Sequence, residues 1–392
     1  MTTANIEIIV GTYEEFLLGY KVVKEENSDC RLIQSFADHS HRASIRSVCA
    51  SGKFLASGGA DETIHLYDMK ARKESGIISQ HSGTVNCISF SPNGSHLLSG
   101  SEDGSIAIFR TGSWQLEKLF TKAHKGEAVT SLSVHPSGKL ALSVGTDATL
   151  RTWNLVKGRQ AYATNLGKNR TGKGRAVSCL LWSPDGNLYV VPVGIEVNIY
   201  DVSTAGIVHT IQLQQKVTCI CFCQDTILAV GDEGGGLSFH SISDKKQLIA
   251  VEAHEHRIKC ITFISTKEDN FIVSASSGGH IRLWNYKNGK VKSICHTNTD
   301  CRITCLVILE GQNSNQKCMK EDVLQIHSIY NGTGNDKEAI KPKRLRKDSE
   351  DSESVNRIHD NKAKKKNLKL SEASQSLDVI CTRGQKWLVE EL

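Results

Sequence analysis

A short segment of the form apolar–x–small–apolar recurs seven times, and the interval between copies constrains the fold more than any other feature. It occurs at Ile45-Arg46-Ser47-Val48, Val85-Asn86-Cys87-Ile88, Val129-Thr130-Ser131-Leu132 and Val177-Ser178-Cys179-Leu180. It returns at Val217-Thr218-Cys219-Ile220, Ile258-Lys259-Cys260-Ile261 and Ile303-Thr304-Cys305-Leu306. Successive starts lie 40, 44, 48, 40, 41 and 45 residues apart. A unit of this size cannot bury its apolar face alone, so such repeats stack into one continuous core. The interval matches propeller blades and is too long for the helical repeats of about 33–34 residues.

Each copy is followed by a second strand, a tight turn and a third strand. In the second copy these read HLLSGS, EDG and SIAIFR, and in the third LALSVG, TDA and TLRTWNL. Alternation of apolar with small or polar residues over such lengths marks a half-buried strand. Asp and Gly supply the backbone angles of a short hairpin turn. The chain has 32 Gly against 5 Pro, a balance suited to many tight turns between short strands.

The third strand ends near an aromatic at Tyr67, Phe109, Trp153, Tyr200 and Trp284. A histidine stands just before the first strand at His41, His81, His124 and His254. These residues resemble the skeleton of the WD40 repeat from about Ile6 to Leu309. The resemblance implies a buried hydrogen-bond network of His, Ser or Thr, Asp and Trp in each blade. Blade three matches in full with His124, Ser143, Asp147 and Trp153. Blade one has His41, Ser57 and Asp61 with Tyr67; blade two has His81, Ser99 and Asp103 with Phe109. Blade six keeps His254, Ser274 and Trp284 but has Gly278 in the Asp slot. Blades four and five carry Val190 with Gly194 and Val230 with Gly234, so packing must hold them. A half-made polar network there would be costly.

Seven first strands have only six complete downstream sets. The missing pieces stand at the N-terminus: IEIIVG as a second strand, TYEE as its turn, FLLGYKV as a third and RLIQSF as an outer strand. Glu14 falls in the Asp slot and Tyr20 in the Trp slot. Ile303–Leu309 should therefore pair with the N-terminal strands and remove the two exposed edges of an open array. The expected architecture is all-β: a seven-bladed WD40 propeller over residues 1–310, its N- and C-terminal strands sharing the closing blade. A largely disordered basic tail follows over residues 311–392.

Other constellations have plainer readings. GKNRTGKG at 167–174 misses the phosphate-binding loop, because Gly174 stands where Ser or Thr should bind magnesium and no helix follows. Its Lys168, Arg170, Lys173 and Arg175 make a basic rim loop, either a solvated insertion or a contact for phosphate or an acidic partner. Cys219-x-Cys221-x-Cys223 lacks a closing ligand set, and Cys219 falls in the small-residue slot of its strand; structural packing is the expectation. The recurrent histidines are spread one per blade, so no catalytic set, metal site or cofactor site is expected and the chain is not read as an enzyme. Rim residues following the histidines, Arg42, Lys125 and Arg257, are the expected partner contacts.

Charge locates the tail. The formal net charge is +6, and residues 337–369 hold 12 Lys and Arg against 6 Asp and Glu. KPKRLRK at 341–347 and KAKKK at 362–366 resemble a bipartite nuclear import signal. The N-terminus shows no secretory pattern and no apolar run approaches about 20 residues, so no membrane association is expected. Thirteen cysteines without an export signal read as reduced thiols.

HKGEAVTSLSVHPSGKLALSVGTDATLRTWNLVKGR at 124–159, with VGTYEEFLLGYKV, DETIHLYDM and the lysine-rich tail, resembles the Pak-interacting WD40 proteins. The resemblance implies a non-enzymatic scaffold in the nucleus and nucleolus acting in ribosome biogenesis, through 60S subunit assembly and pre-rRNA processing. Its alternative is negative regulation of p21-activated kinase signalling by binding the kinase regulatory region. The implied partners are pre-60S assembly factors or the kinase, with weak RNA contact through the tail and a monomeric propeller.

Overall fold

The structure, a computed structural model, describes residues 6–24, 30–166, 177, 179–266, 269–287 and 289–310. The chain divides into a unit of residues 1–313 and a second of residues 314–392, the latter outside the described residues. All regular elements among the described residues, apart from an isolated 3-10 assignment at Leu166, are strands or turns. Twenty-eight strands form seven four-stranded antiparallel sheets. Blades one to six occupy residues 45–78, 85–120, 129–165, 181–212, 217–252 and 258–298.

Blade seven is built from both ends of the propeller. Its order is β28 (Ile303–Glu310), β1 (Ile6–Thr12), β2 (Leu17–Lys24) and β3 (Cys30–Asp38). The seam register runs from Ile6 opposite Glu310 to Thr12 opposite Ile303. β1 is buried along its whole length, with Ile8, Ile9 and Val10 at 0% exposure. The expected closure is thus the observed one, and β1 contributes core as well as backbone pairing.

The inner strands line up around the ring. β28 packs on β4 (Ile45–Ser51), β4 on β8 (Val85–Phe90), and β8 on β12 (Val129–Val134). β12 meets β16 (Leu181–Trp182), while β20 (Val217–Gln224) packs on β24 (Ile258–Ser265) and β24 on β28. Val190, Val197 and Ile199 of blade four cluster with Val217, Ile220 and Leu228 of blade five, completing the circuit. The paired inner strand of blade four starts at Leu181, later than the repeat predicts; Val177 and Leu180 nevertheless pack with Leu142 and Val144 of blade three.

In four of the repeats the variable second position stitches neighbouring blades together. Asn86 Nδ2 donates to the Val129 carbonyl at 3.0 Å, and Thr130 Oγ1 to the Val177 carbonyl at 3.3 Å. Thr218 Oγ1 donates to Ile258 O at 2.5 Å, and Thr304 Oγ1 to Ile45 O at 2.6 Å. Each bond runs from one inner strand to the first residue of the next repeat.

In blades one, two, five and seven the third position faces a glycine on the neighbouring strand. A Cβ on Gly100 would lie 2.8 Å from Cys87 Sγ, on Gly231 2.7 Å from Cys219 Sγ, and on Gly11 2.6 Å from Cys305 Sγ. Sulfur therefore fills the volume that glycine leaves open, the behaviour of a buried thiol acting as a small hydrophobe. Burial pushes the Cys87 thiol up to about 12 and the Cys305 thiol to about 11, so both stay protonated near neutrality.

Candidate functional site

In an antiparallel blade the start of the first strand lies beside the end of the second. The loops preceding the inner strands and the turns after the second strands therefore share one rim. Backbone bonds fasten each pair: Ala60 N to Ser44 O at 2.9 Å, Thr146 N to Ala128 O at 2.9 Å, and Ser277 N to Arg257 O at 3.0 Å. The histidines enter the protein from this rim.

Blade three holds the full relay. Trp153 Nε1 donates to Ser143 Oγ at 2.8 Å, and Ser143 Oγ meets His124 Nε2 at 2.7 Å. His124 Nδ1 contacts Asp147 Oδ1 at 2.9 Å, and Arg151 Nη2 reaches Asp147 Oδ2 at 3.1 Å. With Nδ1–H donated to the carboxylate, Nε2 accepts the serine hydroxyl, whose oxygen accepts the indole N–H. Burial lowers the His124 pKa against the pull of Asp147, so the ring is held neutral. Burial opposes ionisation of Asp147, yet bonds from His124 and Thr149 keep its carboxyl below the usual range.

The other blades are edited copies. His41 bonds Asp61 at 2.9 Å and Ser57 at 2.7 Å; His81 bonds Asp103 at 3.1 Å and Ser99 at 2.7 Å. In each, the carboxylate also accepts the amide after the histidine, from Arg42 at 3.0 Å and Ser82 at 3.1 Å. Phe109 fills the aromatic slot of blade two without a donor, and Tyr67 turns its hydroxyl to Asp38 Oδ1 at 2.9 Å, in blade seven. His254 bonds Ser274 at 2.7 Å, and Trp284 Nε1 donates to Ser274 at 2.9 Å. In blade five Val230, buried at 1%, takes the serine register. In blade four that register belongs to Val191, opposite Asn198, one residue beyond Val190. The reason is a shorter turn, with Val193 already opposite Glu196.

The residue after the Asp slot must adopt the left-handed backbone. Gly104 (φ 76°), Gly235 (φ 90°) and Gly279 (φ 88°) do so without a Cβ, while Glu15 (φ 73°), Glu62 (φ 66°) and Ala148 (φ 55°) do so against steric cost.

In blades one to three the relay engages both nitrogens of each histidine in structural bonds instead of aiming them at a common point. Among the described residues, His41, Asp61 and His65 alone bring three metal-competent ligand atoms within 4.8 Å of one another. Both His41 nitrogens there are already engaged by Asp61 and Ser57, and His65 Nδ1 is 3.0 Å from Glu74 Oε1. The group reads as an extension of the blade-one network. His65 escaped the sequence pattern because other blades carry Ala107, Arg151 or Arg282 at its register.

Arg42, Lys125 and Arg257 are exposed on the histidine rim, and Lys216 and Arg302 join them from equivalent loops. Lys168, Arg170, Lys173 and Arg175 lie outside the described residues, as do KPKRLRK and KAKKK. Sequence reasoning also missed a clamp between blades seven and one. Buried Glu7 of β1 takes Arg72 in a two-pronged ion pair, with Nη2 to Oε2 at 2.6 Å, and accepts the Ser35 hydroxyl. Burial opposes its charge, but the bonds from Arg72 and Ser35 hold Glu7 below the usual carboxylate range.

Comparison with known proteins agrees with this geometry. The family model "WD domain, G-beta repeat" matches residues 30–68, 72–110, 115–154 and 245–285. A second, "Anaphase-promoting complex subunit 4 WD40 domain", matches residues 160–225. The chain is 39% identical over 330 residues to a p21-activated protein kinase-interacting protein 1-like protein of Danio rerio, covering 82% of this chain and 87% of that one. It is 40% identical over 309 residues to p21-activated protein kinase-interacting protein 1 of Homo sapiens, covering 77% and 76%. A solved structure titled "Structure of U3-55K" has the same fold at a TM-score of 0.60 and 19% identity, covering 68% of this chain and 85% of that one.

Proposed function

The chain belongs to the p21-activated kinase-interacting WD40 proteins, and from that premise we propose that it is a non-enzymatic scaffold of nucleolar ribosome biogenesis. Its work is large-subunit assembly and pre-rRNA processing, done by docking pre-60S assembly factors on the propeller rim. The observation that carries this reading is the pairing of a closed ring, the relay histidines of its blades one to three spent on structure, with two basic clusters at 341–347 and 362–366. Such clusters suit nuclear import and, in the nucleolus, weak contact with RNA. Exposed Arg42, Lys125 and Arg257 offer cations on the rim to acidic partners.

The relatives' names favour a second reading, in which the propeller occupies the regulatory region of a p21-activated kinase and restrains signalling. Sucrose-gradient sedimentation of the tagged full chain separates the two. Co-migration with pre-60S particles supports the first; absence from those fractions together with recovery of the kinase overturns it in favour of the second.

A further inference from the structure

Five buried side-chain polar atoms lack a hydrogen-bond partner among the described residues: Thr111 Oγ1, Trp182 Nε1, His254 Nδ1, Ser276 Oγ and Arg282 Nε. Three of the five belong to blade six, at the turn where Gly278 replaces the aspartate of blades one to three. Two of them, His254 and Arg282, stand where blade three binds its carboxylate. There Asp147 takes His124 Nδ1 and Arg151 Nη2, Arg151 Nε donates to Thr149 Oγ1, and Arg282 stands in the register of Arg151. His254 keeps the remaining half of the relay, with Ser274 and Trp284 in place as in blade three. Its Nδ1 is accordingly a donor with nothing to receive its proton.

We propose that this turn is a carboxylate-accepting site, in which His254 Nδ1 and Arg282 Nε receive the side chain of an aspartate or glutamate from a protein partner. The proposal rests on the scaffold reading and names the chemistry by which blade six would hold a partner. His254 is 7% exposed, so its unpaired donor carries a real desolvation cost that an incoming carboxylate would offset. The surroundings are cationic or neutral apart from the exposed carboxylate of Glu255. His280 occupies the register of Thr149, and His256 stands against Gly278, its Cδ2 2.2 Å from where a Cβ would lie. The exposed ring of His256 thus stands in the slot that the carboxylate would take and has to be displaced for it to enter. Burial, then Arg282 and His280, push His254 down to about 4, which leaves it a neutral donor near pH 7. A carboxylate fits better than phosphate because His254 Nδ1 repeats the donor that a single Asp satisfies in blades one to three, and Arg282 stands where Arg151 reaches that Asp in blade three.

The test is histidine NMR on the full chain, titrated with sodium acetate and with N-acetyl-aspartate amide against sodium chloride at equal ionic strength. The expected result is a saturable shift of the His254 signal with both carboxylates. In Gly278→Asp, which supplies the carboxylate internally, His254 should resemble His124 and the acetate response should vanish. Arg282→Gln, which keeps the fold if Gly278→Asp does not, should weaken acetate binding about tenfold. No saturable His254 shift, an unchanged response in either folded variant, or tighter binding of inorganic phosphate than of acetate would overturn the proposal. Since no partner is needed, a chain that binds acetate yet is absent from pre-60S fractions refutes only the ribosomal role.

Discussion

The carboxylate of Glu14 accepts the backbone N–H of Arg302 at 2.8 Å, joining residues 288 positions apart in sequence. Glu14 stands in the aspartate slot of blade seven, a blade with no histidine before its inner strand, so the acid binds the opposite chain end. The Arg302 guanidinium lies 4.5 Å over the Tyr13 ring on the same turn, and Thr304 Oγ1 bonds Gly11 O at 3.0 Å. Closure is thus made of rim contacts as well as the β1–β28 ladder.

Removing β28 by ending the chain at Arg302 should open the ring. It would strip the partners from Ile8 and Val10 and leave β1 as a bare edge, a template for association with other chains. Hydrogen exchange should show lost protection concentrated in β1 and β2, with oligomers in light scattering. Native protection of β1 in the shortened chain would refute the closure. Glu14→Gln, at a partly exposed site, should lower stability by less than about 1 kcal/mol.

The three serines of the relay should rank by the number of partners each serves. Ser143→Ala orphans both Trp153 Nε1 and His124 Nε2 and should cost about 2–4 kcal/mol, while Ser99→Ala orphans only His81 and should cost about 1–3 kcal/mol. Ser57→Ala should fall between them, because Ser57 bonds His41 and also meets the Tyr67 hydroxyl, which keeps its bond to Asp38. Urea denaturation of the three variants gives the order, and equal losses would show that the indole bond contributes nothing.

Much of this fold was legible because a repeat states its rule several times. Seven inner strands fixed the number of blades, and the strand deficit at one end was balanced by the strand surplus at the other. What stayed hidden depends on contacts between copies. Thr304 and Asn86 looked like filler in the motif because a single blade does not contain the Ile45 and Val129 carbonyls they bond. Glu7 and Arg72 lie 65 positions apart and belong to no repeat position, so no periodicity could pair them. Val191 replaced Val190 because turn length, which the strand pattern leaves free, sets the register. Gly278 was visible as a gap in the motif, but the donors it leaves unpaired required coordinates.

Stability should fall as pH drops from about 6.5 toward 4. Burial depresses the folded pKa of His41, His124 and His254 below the ordinary value of 6.5, with Arg282 and His280 adding to the effect at His254 and with His256 beside them. Above 6.5 these rings are neutral in both states. Below it the unfolded chain takes up protons that the folded chain refuses, so stability is lost until the folded pKa is reached, about 4 for His254. That shift corresponds to roughly 3 kcal/mol for His254. Asp61, Asp103 and Asp147, all held below their usual range, extend the loss as pH falls further through their folded values. Melting temperature against pH, with NMR titration of His254, checks this; a flat profile between 7 and 4.5 would count against it.

Reversing Arg42, Lys125 and Arg257 to Glu should separate binding from folding. All three are exposed, none of their side chains takes part in the relay, and surface substitutions of this kind change stability by about 0.5 kcal/mol or less. Arg42 contributes to blade one through its backbone amide, which the substitution leaves intact. Their charges, in contrast, sit where loops from three blades meet solvent, so reversal replaces three cations with carboxylates on a rim that already carries Glu62, Glu102 and Glu127, and should repel an acidic partner. Long-range attraction of this sort acts mainly on association rate and weakens with salt. Recovery of partners from pre-60S fractions should therefore fall for the triple variant, with an unchanged melting temperature and a smaller salt dependence of what binding remains. Undiminished recovery would move the partner surface away from the histidine rim, to the outer strands or the opposite face.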